Sequence, residues 1–324
     1  MILEKNIQII LDSRMLDVRQ LRYFVAIFET GAVTKAAATL HVAASALSHH
    51  LTNLEAQLET KLFERKPRGM LPTAAGHRLY DHARLILKAT ETAEADLKLS
   101  GYSVGGAVSV GMGYSAAKVI GVDLAKTIMK DLPHVKLAIS ESLSASTLSR
   151  LTRSELDVAI VYNPPPDPTV RIQPILEEKL AILGNKKLIG EKDDDITFDE
   201  ILDLPLILLN QGLSARALMD DGGLLRKIES CAIMRMNSVQ TIIGLVEAGL
   251  GCAVGPKILM EEQVRRGDIG SRIISGPELK RTLCLCEMAS TPPTFAKEAV
   301  RRIILDLIEK AVSSGKWQGR FIAV

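Results

Sequence analysis

The sequence predicts an α+β multidomain protein: a winged helix-turn-helix head, a linker helix and a two-lobed α/β body. Three observations lead there. Residues 32–58 read as two short helices joined by a tight turn, the second with an unusually neutral polar face. Residues 73–99 carry a heptad-like apolar seam. From Ala107 on, short apolar runs alternate with helical patterns, as in parallel α/β units.

In the head, residues 17–30 form an amphipathic helix with Leu21, Phe24, Val25 and Phe28 on its stripe, stopped by Gly31. The next helix spans about 34–40, with Thr34 as its expected N-cap. His41 follows at a turn that needs positive φ. A helix over about 44–58 buries Leu47, Leu51 and Leu54 and presents Ser45, Ser48, His49, Thr52 and Asn53. Such short hydrogen-bonding groups suit base edges in a major groove. Leu62-Phe63 and Met70-Leu71 make a two-stranded wing around a turn at 66–69. Lys61, Arg65, Lys66 and Arg68 crowd it, favouring phosphate and minor-groove contact.

Charge agrees with that placement. The chain of 324 residues has a net charge of only +2, but residues 17–88 hold ten Lys/Arg against six Asp/Glu, a net of +4. Five of the six histidines lie there too. A basic head on a near-neutral body points to nucleic-acid contact at one end only.

Residues 1–14 match nothing downstream and read as an N-terminal extension before a natural start at Met15. The apolar run at 2–11 is too short to span a bilayer and lacks a signal-peptide pattern. The expected location is therefore cytoplasmic, with no membrane partner. The four cysteines (231, 252, 284 and 286) form no C-x-x-C pair and read as buried thiols.

The expected domains are a winged head over 15–74, a linker helix over 75–101 and a body over 102–324. Thr73 should cap the linker helix, and Leu79, Ala83, Ile86, Thr90, Ala93 and Leu97 give a dimerisation seam. Lobe I is expected over 102–163 and 254–324, and lobe II over 164–253. The proline run after Asn163 and a strand at 252–256 mark the two crossovers. Strands near 172–176 and 180–183 fall to lobe II, and one near 272–274 to lobe I. Two lobes joined twice make a hinged clamp.

Three strand-to-helix junctions could open onto the cleft, at Ser115, at Ser144 and at Asn210 with Ser214. Ser238 opens a further helix. Hydroxyls and amides at helix N-termini favour anions, so a small organic anion, a carboxylate, is the expected effector. Gly111-x-Gly113-x-x-Ala116 resembles a dinucleotide loop, but Pro133 stands where the ribose-binding acid belongs. No catalytic set, metal-ligand cluster or cofactor motif is found.

Arg19-Gln-Leu-Arg-Tyr-Phe, Gly31-x-x-Thr34-x-Ala-Ala37-x-x-Leu40-His-Val42, Ala46-Leu-Ser48, Leu54-Glu55, Leu62-Phe-Glu-Arg65 and Thr73-x-Ala-Gly76 resemble the LysR-type transcriptional regulators. So do Leu156-Asp-Val-Ala-Ile160, and Val246-x-Ala-Gly-Leu-Gly251 with Pro256. Lys66-Pro-Arg-Gly69, the body from Ala107 and Gly315-Lys-Trp-Gln-Gly319 look similar to the nitrogen assimilation control branch. The resemblance implies a linker-helix dimer or tetramer on double-stranded DNA, a periplasmic-binding-protein-like effector domain, and RNA polymerase as a further candidate partner. It makes Ser45, Ser48, His49 and Thr52 the base readers, with Thr34, Lys35, Arg65 and Arg68 on the backbone. One departure stands out: the family has Ser-Gln-Pro entering the recognition helix, and this chain has Ala43-Ala44-Ser45. The competing reading is a small-molecule binding protein or enzyme with a helical scaffold in front.

Overall fold

The computed structural model describes residues 16–67, 69–98, 104–191, 194–209, 221–291 and 293–323. Arg68, Asn210, Ser214 and the extension at 1–14 lie outside them. The chain divides into two compact units, residues 1–94 and 95–324.

The first unit is a three-helix head with a wing. Helix α1 (Val18–Thr30) begins at a capping box in which Asp17 and Gln20 satisfy each other's backbone amides. It ends at Gly31, whose φ of 66° a side chain would resist. Helix α2 (Val33–Leu40) starts one residue earlier than expected. Its N-cap is Ala32, so Thr34 lies inside the first turn, exposed, and caps nothing. His41 does take the left-handed turn, at φ 56°. Helix α3 (Ala44–Gln57) likewise starts without a side-chain cap, behind Ala43. Leu21, Phe24, Ile27, Ala37, Leu47, Leu51 and Leu54 fuse the three helices into one core.

The wing pairs β1 (Phe63–Lys66) with β2 (Gly69–Pro72). It is docked on α1 by a bond from the Met70 N–H to the Gly31 carbonyl, 2.8 Å. Gly69 adopts φ 130°, and a Cβ there would stand 2.5 Å from that carbonyl, so glycine is required twice over. Thr73 accepts from the Gly76 amide and opens α4 (Ala74–Lys98). The expected seam is divided: Leu79 and Ala83 are buried in the head's own core, whereas Ile86 and Ala93 are exposed. Leu79 and Ala83 are therefore not available to the expected dimerisation seam.

The second unit carries two sheets. The first runs β14-β6-β13-β5-β3-β4, with β3 (Gly105–Met112), β4 (His134–Glu141), β5 (Val158–Tyr162), β6 (Val170–Lys179), β13 (Lys280–Met288) and β14 (Arg320–Phe321). Strand β3 pairs in parallel with β4 and β5, as its crossover helices require. Those are α5 (Tyr114–Asp131) and α6 (Ser144–Thr152). Val110, Met112, Ile120, Leu124, Ile160, Leu285, Ile304 and Trp317 belong to the core of this lobe.

The second sheet runs β11-β7-β12-β8, from β7 (Ala181–Gly184), β8 (Ile196–Thr197), β11 (Ala253–Gly255) and β12 (Gly270–Ser275). The parallel pair β9 (Leu206–Leu209) and β10 (Ala232–Met236) joins it through a bridge between Leu206 and Cys252. Against this sheet lie α7 (Lys186–Ile189), α8 (Phe198–Leu202), α9 (Gly222–Cys231) and α10 (Val239–Glu247). A 3₁₀ turn (Lys257–Met260) and α11 (Glu261–Arg266) follow β11, and α12 (Phe295–Ser313) closes lobe I.

Both expected crossovers move. Strand β6 was expected in lobe II, but it pairs antiparallel with β13 along nine positions and so belongs to lobe I. The proline run only loops from β5 to β6, and the chain crosses at Leu180. The strands near 252–256 and 272–274 were expected to return to lobe I, yet both pair with β7 in lobe II. The return falls between β12 and β13. Helix α9 begins at Gly222 behind the Asp221 cap, not near Ser214.

Candidate nucleic-acid interface and interlobe site

The head brings its expected readers onto one face. Ser45, Ser48, His49 and Thr52 are spaced by three and four along α3, so they share one side, and all but the half-buried Ser48 are exposed. Their hydrogen bonds decide what each can offer. Thr52 donates its hydroxyl proton to the Ser48 carbonyl at 3.0 Å, leaving lone pairs and a methyl group outward. Asn53 Nδ2 lies 3.1 Å from His49 Nε2. The wing reaches the same face, with the Arg65 guanidinium donating to Ser48 Oγ at 3.4 Å.

The basic wing is less charged than its sequence. Lys61 is paired with Glu55 and Lys66 with Glu64. That leaves Arg65 and, on α2, Lys35 as the expected cations without a recorded ion pair among the described residues. Thr34 is exposed beside Lys35 on the first turn of α2.

Sequence reasoning had Glu55 only as part of a family motif and gave it no structural role. Glu55 accepts from the amides of Leu62 (2.9 Å) and Phe63 (3.3 Å) and from Lys61 Nζ (2.6 Å). Burial alone would raise its pKa. The Lys61 bond and the two amides outweigh that and hold the carboxyl below its ordinary value. One side chain on the back of α3 thereby fixes where the wing begins.

In the body, Ser115 and Ser144 flank Tyr162 but are already engaged. Ser144 Oγ accepts the Tyr162 amide at 3.2 Å. Ser115 Oγ accepts from Arg281 at 3.1 Å. Arg281 is ion-paired with Glu178 (2.6 Å), stacks over Tyr162 at 3.5 Å from the ring centre, and Glu178 also accepts from the Trp317 indole at 3.0 Å. Glu178 and Trp317 are each 1% exposed and Arg281 7%. Burial lifts the Tyr162 phenol well above its ordinary range. None of Glu178, Arg281 and Trp317 was expected. The one signal was the single Trp of the chain; Glu178 and Arg281 stand beside other charges, in Glu177-Glu178-Lys179 and Lys280-Arg281, and look like solvated strand ends.

Ser238 caps α10 in lobe II through the Thr241 amide. The lobes meet nearby: Tyr114 of lobe I packs on the lobe II cluster of Leu183, Ile207, Ile242 and Val246, which Val239 also joins. The Tyr114 phenol is raised by burial and by the charges of Glu141 and Glu262. Those carboxylates make the surroundings of Tyr114 unfavourable to an anion. No helix among the described residues is long and apolar enough to cross a membrane.

A winged head followed by two α/β lobes is the build of a ligand-gated regulator, and comparison assigns it. Residues 18–77 match the bacterial regulatory helix-turn-helix protein, lysR family, and residues 103–308 match the LysR substrate binding domain. The chain belongs to the LysR family of transcriptional regulators, which are not enzymes.

Among its relatives is the nitrogen assimilation regulatory protein Nac of Klebsiella aerogenes, 30% identical over 296 residues, covering 91% of this chain and 96% of that one. Nac of Escherichia coli (strain K12) is 29% identical over 302 residues, covering 93% and 98%. Full-length OxyR C199D from Pseudomonas aeruginosa superposes with a TM-score of 0.69 at 23% identity, covering 91% and 95%. Full-length CbnR complexed with its target DNA gives 0.62 at 20% identity, covering 92% and 100%. These two likenesses bear on the fold alone.

Proposed function

We propose that this regulator reads double-stranded DNA with Ser45, Ser48, His49 and Thr52 of α3. Thr34, Lys35, Arg65 and Arg68 hold the backbone, and a small organic anion between the lobes biases the output. The observation that carries the reading is the neutral, exposed polar face of α3 with the Arg65 guanidinium beside it. CbnR, of like fold, was solved on its target DNA. A homodimer or homotetramer acting in the cytoplasm, with RNA polymerase as a further partner, fits this role.

Within the cleft, half-buried Ser238 is more open to an anion than Ser115, which is buried beside Arg281. Asn210 and Ser214 remain candidates by sequence.

A mobility-shift titration on the DNA flanking its own gene tests the first half. Log affinity is expected to fall linearly with log salt, because bound phosphates release counterions. Salt-independent or absent binding would favour a body-centred binding protein. Thermal-shift screening of small carboxylic acids, followed by Trp317 emission, tests the second. A true effector raises the transition of the body, by mass action. Indifference to carboxylates alongside a shift by neutral compounds would rule out the anion.

A further inference from the structure

We infer that the body holds a second ligand site, at the hinge between its lobes, for a small molecule that carries an acidic group on an apolar body. It is separate from the cleft of Ser115, Ser144 and Ser238 and does not depend on what binds there.

The site is built around the 3₁₀ turn, which rivets the lobes together. Ile258 belongs to the core of lobe I, and Met260, two residues on, to the lobe II cluster of Leu183 and Ile207. Lys118 of α5 donates to the Leu259 carbonyl at 3.5 Å. Beside the turn lies a cavity of about 370 Å³. Pro256, Lys257 and Ile273 wall it on the lobe II side, and the end of β6 and residues 318–320 on the lobe I side. A second recess, of about 340 Å³, shares Lys257, Ile258 and Gln318 with it and adds Val264 and Arg265. Both volumes fall in the range of small-molecule sites, about 300–1,000 Å³. Ser115, Ser144 and Ser238 line neither recess.

Charge decides the class of ligand. Ile258, Val264 and Ile273 supply an apolar floor. Five cations line the two recesses, against Glu177, Glu178 and Glu261. Most of these charges are already matched: Lys179 with Glu278, Lys316 with Asp123, Arg320 with Glu177, and Glu178 with Arg281. Lys257 and Arg265 have no recorded ion pair among the described residues, and Glu261 is the one lining carboxylate of which the same holds. The surplus is positive. Lys257 is half-buried beside the apolar floor, where an ammonium gives up water and gains from an anion. Gln318, common to both recesses, adds an amide donor.

The test uses the full chain and two dyes that differ only in a sulfonate, 1-anilinonaphthalene-8-sulfonate and its neutral parent N-phenyl-1-naphthylamine. Trp317 is the single tryptophan and precedes Gln318 in the chain, so energy transfer from it reports dye bound to the body. The sulfonate is expected to give saturable transfer and to bind at least about tenfold more tightly than its parent, the worth of one charge-assisted contact. Lys257→Gln weakens the sulfonate by about the same factor and leaves the parent unchanged, whereas Lys257→Arg restores it. Arg265, exposed on α11, gives a second variant, Arg265→Gln, which weakens the sulfonate even if Lys257→Gln does not fold. Arg302→Gln, exposed on α12, removes the same charge elsewhere and changes nothing. Equal affinity for the two dyes, absence of saturable transfer, or full sulfonate affinity in both Lys257→Gln and Arg265→Gln overturns the inference. So does loss of the sulfonate in Ser238→Asp, which keeps its helix cap, but not in Lys257→Gln. That result would put the dye in the interlobe cleft, leaving the anion proposed there standing while the hinge site falls.

Discussion

Glu55 shows how one carboxylate can organise a domain that its sequence does not advertise. It lies on α3 directly after the buried Leu54, where helical spacing gives no reason for a charge. Its partners at 61, 62 and 63 come after a turn at Glu59, which has φ 50°. No periodicity links a helix to amides across such a turn, so this anchor was not legible. The exposed polar face of α3, by contrast, was legible as a surface, because its short neutral groups depart from the common Lys/Glu face. Glu55→Ala is expected to cost the head about 2–3 kcal/mol, because two buried amides lose their acceptor. The pH dependence has a definite sign. With the folded pKa below the ordinary 4.5, the carboxylate's contribution is full above that value and fades as pH falls through the folded one. Urea titrations of the wild type at stepped pH should lose stability in that acid window, and Glu55→Ala should lose less. A variant whose acid sensitivity matches the wild type would remove Glu55 from this role.

Elements were legible in type and placement more than in partnership. Helices α1 and α3 fall within a residue of their expected bounds, because caps and apolar stripes are local signals. Partnership is not local. Strand β6 finds β13 about a hundred residues later, and the proline run that suggested a change of lobe only denies backbone donors to a loop. The pairing of β12 with β7 escaped for the same reason. The buried-thiol reading holds within β13. Cys284 and Cys286 share one apolar cluster, and burial pushes the Cys286 thiol far up and that of Cys252 to about 11. Thiols so reluctant to ionise pack as small apolar groups. The linker helix divides the same way. Its seam was visible as a period, but only the core of the head decides that Leu79 and Ala83 belong to it.

At the scale of the molecule, the head and the body own separate apolar cores, and each has a buried carboxylate at its key junction. Glu178 ends β6 just before the chain leaves lobe I, and Arg281 opens β13 just after it returns. The pair therefore binds together the two chain segments that cross between the lobes, with the C-terminal segment laid over them. Trp317 bonds Glu178, Phe321 pairs with Leu176, and Lys316 Nζ reaches the Val119 carbonyl at 2.8 Å. Removing one member of such a buried pair leaves the other charged and unsolvated, so Glu178→Gln should cost the body about 3–5 kcal/mol. The chain has a single tryptophan, so Trp317 emission follows the body alone. Hydrogen exchange at the amides of α1 follows the head. Glu178→Gln is expected to lower the denaturant midpoint of the emission change while protection in α1 stays as in the wild type, and Glu55→Ala to do the reverse. The two junctions would then be independent supports, one for the reading surface and one for the lobe crossover. Equal losses in both probes for either variant would instead mean that the two cores unfold as a single unit, and that a change at one junction reaches the other through the folded chain.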